Sequence, residues 1–408
     1  MTRPLQSNTS GILVGENVMH KNWALLPKTI LATCIAAASS ACATNVGPVN
    51  PPAAPAVTAP APLPPLPAAP MPEQPSAALT QKARSTCVSN VAFQNFPLRY
   101  QQRLQEIACH LQERDGLPAG YVIPALQNAR FNARAVEMMT PPPPSAAPAT
   151  PYPWWRYRDR FLRQNRLDRG VQFWRDHAAL LQAVSQKYGV SGPILMGILN
   201  IETGFGTFLG KFSVLNSNLS LALALPGRRR FFLHQTAETL KLAQRLGVPP
   251  GTLQGSPAGA MGMSQFLASS YLRYGVTWND PPGGPMPNLW HSPADVLAST
   301  ANFFRGHGWQ PGQPVLSQVS GNRGTNVAPF LHGRHPLAQL RAAGIRPEVP
   351  SGLPGSTPVG LLRLQTEHGP TLFIAYPNFY AIMGYNPNTY YSATVWAYAE
   401  AIRRIVNG

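Results

Sequence analysis

The chain has 408 residues, enough to bury a sizeable core in one large domain or two or three smaller ones, and its 44% apolar content excludes a wholly disordered chain. Charged residues are only 12%, about half the usual share, and Lys plus Arg outnumber Asp plus Glu by 33 to 16, for a net charge of +17 and a pI near 10.2. Such a surface attracts polyanions of any class without choosing among them. The scarcity of acid says more: with 16 carboxylates in all, an acid inside an apolar helical segment has few rivals as a catalytic group.

Residues 1–42 read as an export signal. Lys21 and Lys28 precede an apolar run from Thr29 to Ala38, which is too short to span a bilayer as a mature helix. Ser39, Ser40 and Ala41 then lead into Cys42, an arrangement similar to a bacterial lipoprotein processing site, with Ser39 where Leu is usual. The reading adopted is lipidation at Cys42; the alternative is an ordinary secretory cut near Ala41 or Ala43. Residues 43–84 form a linker, in which twelve prolines between Pro48 and Pro75, interleaved with Ala, give an extended spacer suited to a tether. In an exported chain the remaining cysteines, Cys87 and Cys109, make an even pair that can close a disulfide; two buried thiols are the alternative.

Residues 85–140 carry helical periodicity (Leu104, Ile107, Leu111) and form either a small domain or an arm packed on the next one. A second Pro-rich break covers 141–153. From Trp154 to the end, 154–408, the sequence reads as one larger domain. Helices are predicted around 171–184, from Gly192-Pro193 to Ile201 with proline in the first turn, and over 232–246, 263–274, 293–305 and 389–406. Between about 310 and 380 short β-like runs appear, including Leu361–Leu364 and Thr371–Ile374. The fold class predicted is mainly α (α+β), with an N-terminal helical segment and a small β subdomain. There is no βαβ alternation, no glycine-rich dinucleotide fingerprint and no internal repeat.

Three stretches carry chemistry. In Ile198-Leu199-Asn200-Ile201-Glu202-Thr203-Gly204-Phe205-Gly206 a single carboxylate ends a strongly apolar helix and meets a Gly-rich turn. Low-dielectric surroundings disfavour its ionised form, so its pKa rises from about 4.3 towards neutral, as a general acid requires; a Glu pointing into solvent from a helix end is the plain alternative. In Gly255 to Phe266, small residues permit close backbone approach, and Ser256 and Gln265 offer uncharged hydrogen-bonding groups. In Pro377-Asn378-Phe379-Tyr380 to Tyr391, aromatic faces with polar tips suit sugar rings, or else core and rim.

Together with Asn302-Phe303-Phe304 to Trp309, these motifs resemble, in the same order, the membrane-bound lytic murein transglycosylase B family over roughly Trp154 to Val406. The resemblance implies a lysozyme-like catalytic core that cleaves peptidoglycan between N-acetylmuramic acid and N-acetylglucosamine, with one glutamate, matched by Glu202, acting first as acid and then as base. It implies substrate contacts at Tyr157, Ser256, Gln265, Phe266, Tyr385, Asn386 and Tyr391, with Ser256 and Tyr385 at the reacting muramoyl sugar. It also implies a place on the periplasmic face of the outer membrane as a lipoprotein, or a soluble periplasmic form, and leaves contact with cell-wall synthesis proteins open.

The chain departs from the family in two places. A calcium-binding loop known in the family corresponds here to Thr277–Pro285, where one Asp is followed by two prolines; calcium needs six or more oxygens, so no metal site and no cofactor are expected. The family's paired arginines fall near Arg228-Arg229-Arg230 with a shifted register. Competing functional readings are a hydrolytic muramidase and a non-catalytic peptidoglycan-binding lipoprotein. Nucleic-acid binding is not expected, since the basic residues look dispersed and the export signal removes the chain from nucleic acid.

Overall fold

The computed structural model describes residues 91–141, 152–280, 284–320 and 324–407. The export signal with Cys42, the 43–84 linker, Cys87 and most of the 141–153 connection lie outside the described residues.

The N-terminal segment forms α1 (Gln101–Glu113), α2 (Ala119–Asn128) and α3 (Ala133–Met139). The larger body begins with α4 (Trp154–Asp159), α5 (Gln164–Tyr188) and α6 (Gly192–Thr203). A two-residue strand β1 (Phe212–Ser213) comes next, then α7 (Val214–Ala224), α8 (Arg229–Leu246), strand β2 (Gln254–Gly255), α9 (Ala268–Tyr274) and α10 (Pro293–Gly306). The β portion comprises β3 (Leu316–Gln318), β4 (His335–Pro336), β5 (Pro358–Thr366) and β6 (Gly369–Ala375), with α11 (Leu337–Ala342) inserted. Helices α12 (Pro377–Tyr385) and α13 (Thr389–Asn407) close the chain. The molecule is mainly helical, and its antiparallel sheet has the order β3-β6-β5-β4, with Leu362 opposite Phe373 in the central hairpin.

The N-terminal helices are not a free arm. Leu104, Ile107 and Leu111 of α1 and Val122 and Leu126 of α2 share one apolar core with Leu215, Leu219 and Leu223 of α7 and Ala237 and Leu240 of α8. Cys109, on α1, is disulfide-bonded, and its partner lies outside the described residues.

Helix α6 sits at the centre of the main core, every residue from Gly192 to Asn200 being buried. This explains why its sequence is apolar all round instead of showing one stripe. Pro193 opens it, and Gly204 ends it in the left-handed conformation at φ 57°, which a residue without Cβ adopts at no steric cost. Gly197 lets α13 approach closely: a Cβ there would stand 2.8 Å from the Val395 carbonyl oxygen.

One predicted helix is shorter than expected. The 263–274 run becomes helical only from Ala268, because Met261 and Phe266 pair antiparallel through both backbone bonds and Met263 donates its N–H to the Leu289 carbonyl at 2.7 Å. Gly262 at φ 69° and Gln265 at φ 50° bend the chain between them. A Cβ at position 262 would lie 2.4 Å from the Leu289 oxygen, so this turn needs glycine. Helix α5, in contrast, is longer than predicted at both ends.

Among the described residues, no helix is long and apolar enough to cross a membrane.

Candidate active site

Glu202 occupies the last turn of α6, and its half-buried side chain points among tyrosines delivered by three other elements. Tyr391, near the start of α13, donates its hydroxyl to Glu202 Oε1 at 2.5 Å. Tyr157 on α4 and Tyr385 at the end of α12 both feel the Glu202 charge, and among the described residues no other carboxylate acts on these three tyrosines. Burial pushes the Glu202 carboxyl up to about 7, while the Tyr391 hydroxyl, by stabilising the anion, opposes that rise. The same burial and the nearby acid push Tyr157 up to about 12 and hold Tyr391 and Tyr385 well above the ordinary phenol value. All three therefore remain neutral hydroxyls, able to donate.

Two aromatic groups frame the acid. Tyr157 packs 5.3 Å from Phe161 and 6.1 Å from Tyr390 between ring centres. Tyr385 packs 4.8 Å from Phe303, 5.7 Å from Phe304 and 5.9 Å from Phe266, and its hydroxyl donates to the Ser264 carbonyl.

The acid is held from below by side chains that sequence reasoning missed. Arg166, only 7% exposed, donates from Nη1 to the Asn200 carbonyl at 2.6 Å and to Asn200 Oδ1 at 3.2 Å, capping the carbonyl end of α6. Asn200 in turn donates to the Phe161 carbonyl at 3.0 Å. Thr203 Oγ1 donates to the Met263 carbonyl at 2.9 Å and accepts from Gly206 N at 3.0 Å, joining the turn after Glu202 to the 255–266 loop. Sequence does not single out Arg166, which stands among five neighbouring arginines; only its burial in the fold does.

The structure thus gathers Glu202, Tyr157, Tyr385 and Tyr391 around one point. Phe266 is 2% exposed and supports Tyr385 from behind. Gln265 donates from Nε2 to the Gly262 carbonyl at 3.0 Å, within the loop. Ser256 Oγ accepts from Ala260 N at 3.1 Å, also within its own loop. Asn386 Oδ1 is buried without a hydrogen-bond partner. Neither Ser256 nor Asn386 hydrogen-bonds to Glu202.

Of the 277–285 region, residues 277–280 and 284–285 are described, and they bring a single carboxylate, Asp280. Asp295, at the start of α10, is the carboxylate bound to this region, and both its oxygens are taken: Oδ1 accepts from Trp278 N and Oδ2 from Asn288 N, each at 2.9 Å. Asn288 Oδ1 accepts from the N–H groups of Trp290 and His291. Backbone donors thus engage both Asp295 oxygens and Asn288 Oδ1, and among the described residues no three His, Cys, Asp or Glu side chains gather as a metal site.

Comparison with known proteins agrees with this geometry. The family model described as "Transglycosylase SLT domain" matches residues 99–400. The chain is 33% identical over 301 residues to the membrane-bound lytic murein transglycosylase B of Escherichia coli strain K12, covering 74% of this chain and 78% of that one. The crystal structure of the soluble lytic transglycosylase SltB1 from Pseudomonas aeruginosa superposes with a TM-score of 0.67 at 30% identity, covering 75% of this chain and all of that one. SltB3 from Pseudomonas aeruginosa, solved in complex with NAG-anhNAM-pentapeptide, gives a TM-score of 0.64 at 28% identity, covering 74% and 79%. With a family match spanning residues 99–400 and a half-buried glutamate of raised pKa at the end of its central helix, the chain belongs to the lytic murein transglycosylase family of lysozyme-like fold.

Proposed function

We propose that the chain cleaves the β-1,4 bond between N-acetylmuramic acid and N-acetylglucosamine in peptidoglycan and leaves 1,6-anhydromuramic acid ends. The observation that carries this reading is the Glu202 carboxyl, raised to about 7 and bonded by the Tyr391 hydroxyl, with no second carboxylate among the described residues acting on it or on the tyrosines around it. A hydrolase of the usual kind needs two flanking carboxylates, one to donate a proton and one to activate water or attack. One carboxylate suffices if it acts twice. Glu202 first gives its proton to the glycosidic oxygen as the C1–O bond breaks, and N-acetylglucosamine leaves with a free hydroxyl. The resulting carboxylate then takes the proton of the muramoyl C6 hydroxyl as O6 bonds to C1. No water is consumed, and the acid ends as it began. The substrate's own N-acetyl group stabilises the cationic centre between the two steps.

In this reading Tyr391 positions the Glu202 carboxyl, Tyr157 and Tyr385 line the sugar path, Phe266 backs Tyr385, and Ser256, Gln265 and Asn386 supply polar contacts. Ser256 and Tyr385 serve the reacting muramoyl sugar. No cofactor takes part. The named complex of SltB3 with an anhydro-sugar peptide supports a glycan strand as substrate. Lipidation at Cys42, with the 43–84 spacer as tether, would hold the domain at the periplasmic face of the outer membrane, and Cys87 is the proposed partner of Cys109.

The hydrolytic muramidase reading uses the same acid and differs in its nucleophile. Digestion of purified sacculi in ¹⁸O-labelled water, followed by mass spectrometry, separates the two. Anhydro-ended muropeptides without label are expected, whereas labelled reducing ends would establish hydrolysis. An absence of any product would leave a binding protein.

A further inference from the structure

A cavity of about 640 Å³ opens between the end of α10, the start of α12 and the segments that lead into β4 and β5. Its size falls in the range of small-molecule sites. It shares no residue with the Glu202 cluster or with the substrate contacts named above, although α12 begins at its wall and ends at Tyr385. The walls are pinned. Asn378, fully buried, accepts from the Gln310 N–H at 2.7 Å and donates to the Gln310 and Gln313 carbonyls, each at 2.8 Å. The N–H groups of Leu337 and Ala338 donate to the Thr357 and Gly355 carbonyls at 2.9 and 2.8 Å, which fixes the wall before β5. Gly360 leaves room for Tyr380, since a Cβ there would clash with the phenol oxygen. A site already formed spares its ligand much of the cost of ordering.

The lining selects the ligand. No Asp or Glu lines the cavity, and one guanidinium does. Arg334 lies over the Tyr380 ring, 3.9 Å from its centre, and has no ion pair among the described residues. Stacking engages the face of a guanidinium and leaves in-plane N–H groups, the fork that suits a carboxylate. His307 adds a second handle. Burial keeps its ring neutral, and its Nδ1 is bonded to the Phe303 carbonyl at 2.8 Å. The proton therefore sits on Nδ1, and Nε2 is an acceptor. Gln313, Ser356 and Thr357 contribute uncharged polar groups to the same wall.

We propose that this cavity is a second ligand site, which takes a small molecule bearing a free carboxylate and a hydrogen-bond donor, the carboxylate going to Arg334 and the donor to His307 Nε2. Two sources carry that chemistry: the free end of a short peptide, and a sugar acid. The inference goes beyond the cleavage reading and does not depend on it. The site nonetheless adjoins the aromatic layer behind the acid. The His307 ring stacks 3.9 Å from Phe303 at 14°, and Phe303 packs against Tyr385.

Calorimetric titration tests the site with one matched pair of probes for each source. N-acetyl-alanyl-alanine is compared with its C-terminal amide, and N-acetylmuramic acid with N-acetylglucosamine, which lacks the lactyl carboxylate. In at least one pair the acid is expected to bind the wild-type chain about tenfold or more tightly than its neutral counterpart, and the pair that shows this names the source. R334Q should bring that ratio close to one and R334K should restore part of it, both with the wild-type melting temperature. The ratio should be the same in E202Q. A ratio near one in both pairs for the wild-type chain overturns the proposal, as does a preference that survives R334Q. A preference altered by E202Q would locate the probe at the acid and overturn it as well.

Discussion

At the scale of single residues, the proposed chemistry turns on one carboxyl, Glu202, which burial pushes up towards neutral pH. Because Glu202 is raised to about 7, the protonated form needed for the first step disappears as pH climbs through neutrality, and the rate of cleavage falls with it. Y391F removes the donor that stabilises the anion, so the carboxyl moves further up; the alkaline limb of the pH–rate profile should shift to higher pH even as turnover drops. The same shift has a stability consequence. A carboxyl with a raised folded-state pKa favours folding below the unfolded value of about 4.3, and this contribution is lost as pH rises through the folded value. E202Q cannot ionise, so by thermal denaturation it should be more stable than wild type at pH 8, by about 1–3 kcal/mol, with the gain vanishing near pH 4. The acid itself was legible in the sequence, because a lone Glu ending an apolar helix in an acid-poor chain is conspicuous. Its hydrogen-bond partner was not, since the contact between Tyr391 and Glu202 joins residues 189 positions apart. No local pattern encodes that pairing.

At the scale of elements, the site depends on how closely α6 and α13 pack and on how the 255–266 loop is pinned. G197A places a methyl against the Val395 backbone with no flexible neighbour to yield, and overpacking of this kind costs about 1–3 kcal/mol. Thermal denaturation should show that loss, and the displaced α13 should carry Tyr391 off the acid and lower turnover as well. Asp295 clasps the neighbouring region through Trp278 and Asn288, while Leu289 just beyond holds Met263. D295A leaves two backbone donors unpaired and should destabilise the fold by about 2 kcal/mol or more. Chelator or added calcium should leave the wild-type melting temperature unmoved; a calcium-dependent rise would show that a metal does the clasping. Sequence periodicity located most helices, because their apolar stripes are local. It overextended the 263–274 helix, where an apolar run is compatible with a helix but Met263 and Phe266 give their backbone bonds to Leu289 and Met261 instead. Nonlocal partners outcompeted local propensity there.

At the scale of the whole molecule, the N-terminal helices and the larger body are joined by a common core. Removing residues before 152 would bare Leu215, Leu219, Leu223 and Leu240, all buried against α1 and α2. The shortened chain should therefore be poorly soluble or melt well below the full chain, even though Glu202 and its tyrosines lie outside the deleted part. Sequence left open whether residues 85–140 form a domain or an arm, because the apolar face of α1 fits either and its partners lie over a hundred residues away.

The most direct test of the central claim is the digestion of purified sacculi by E202Q, with its fold verified by circular dichroism. A single acid–base glutamate predicts that release of anhydro-ended muropeptides falls by at least about a thousandfold, in line with the loss of a general acid–base group, while binding to the sacculi persists. Undiminished release by a folded E202Q chain would contradict it.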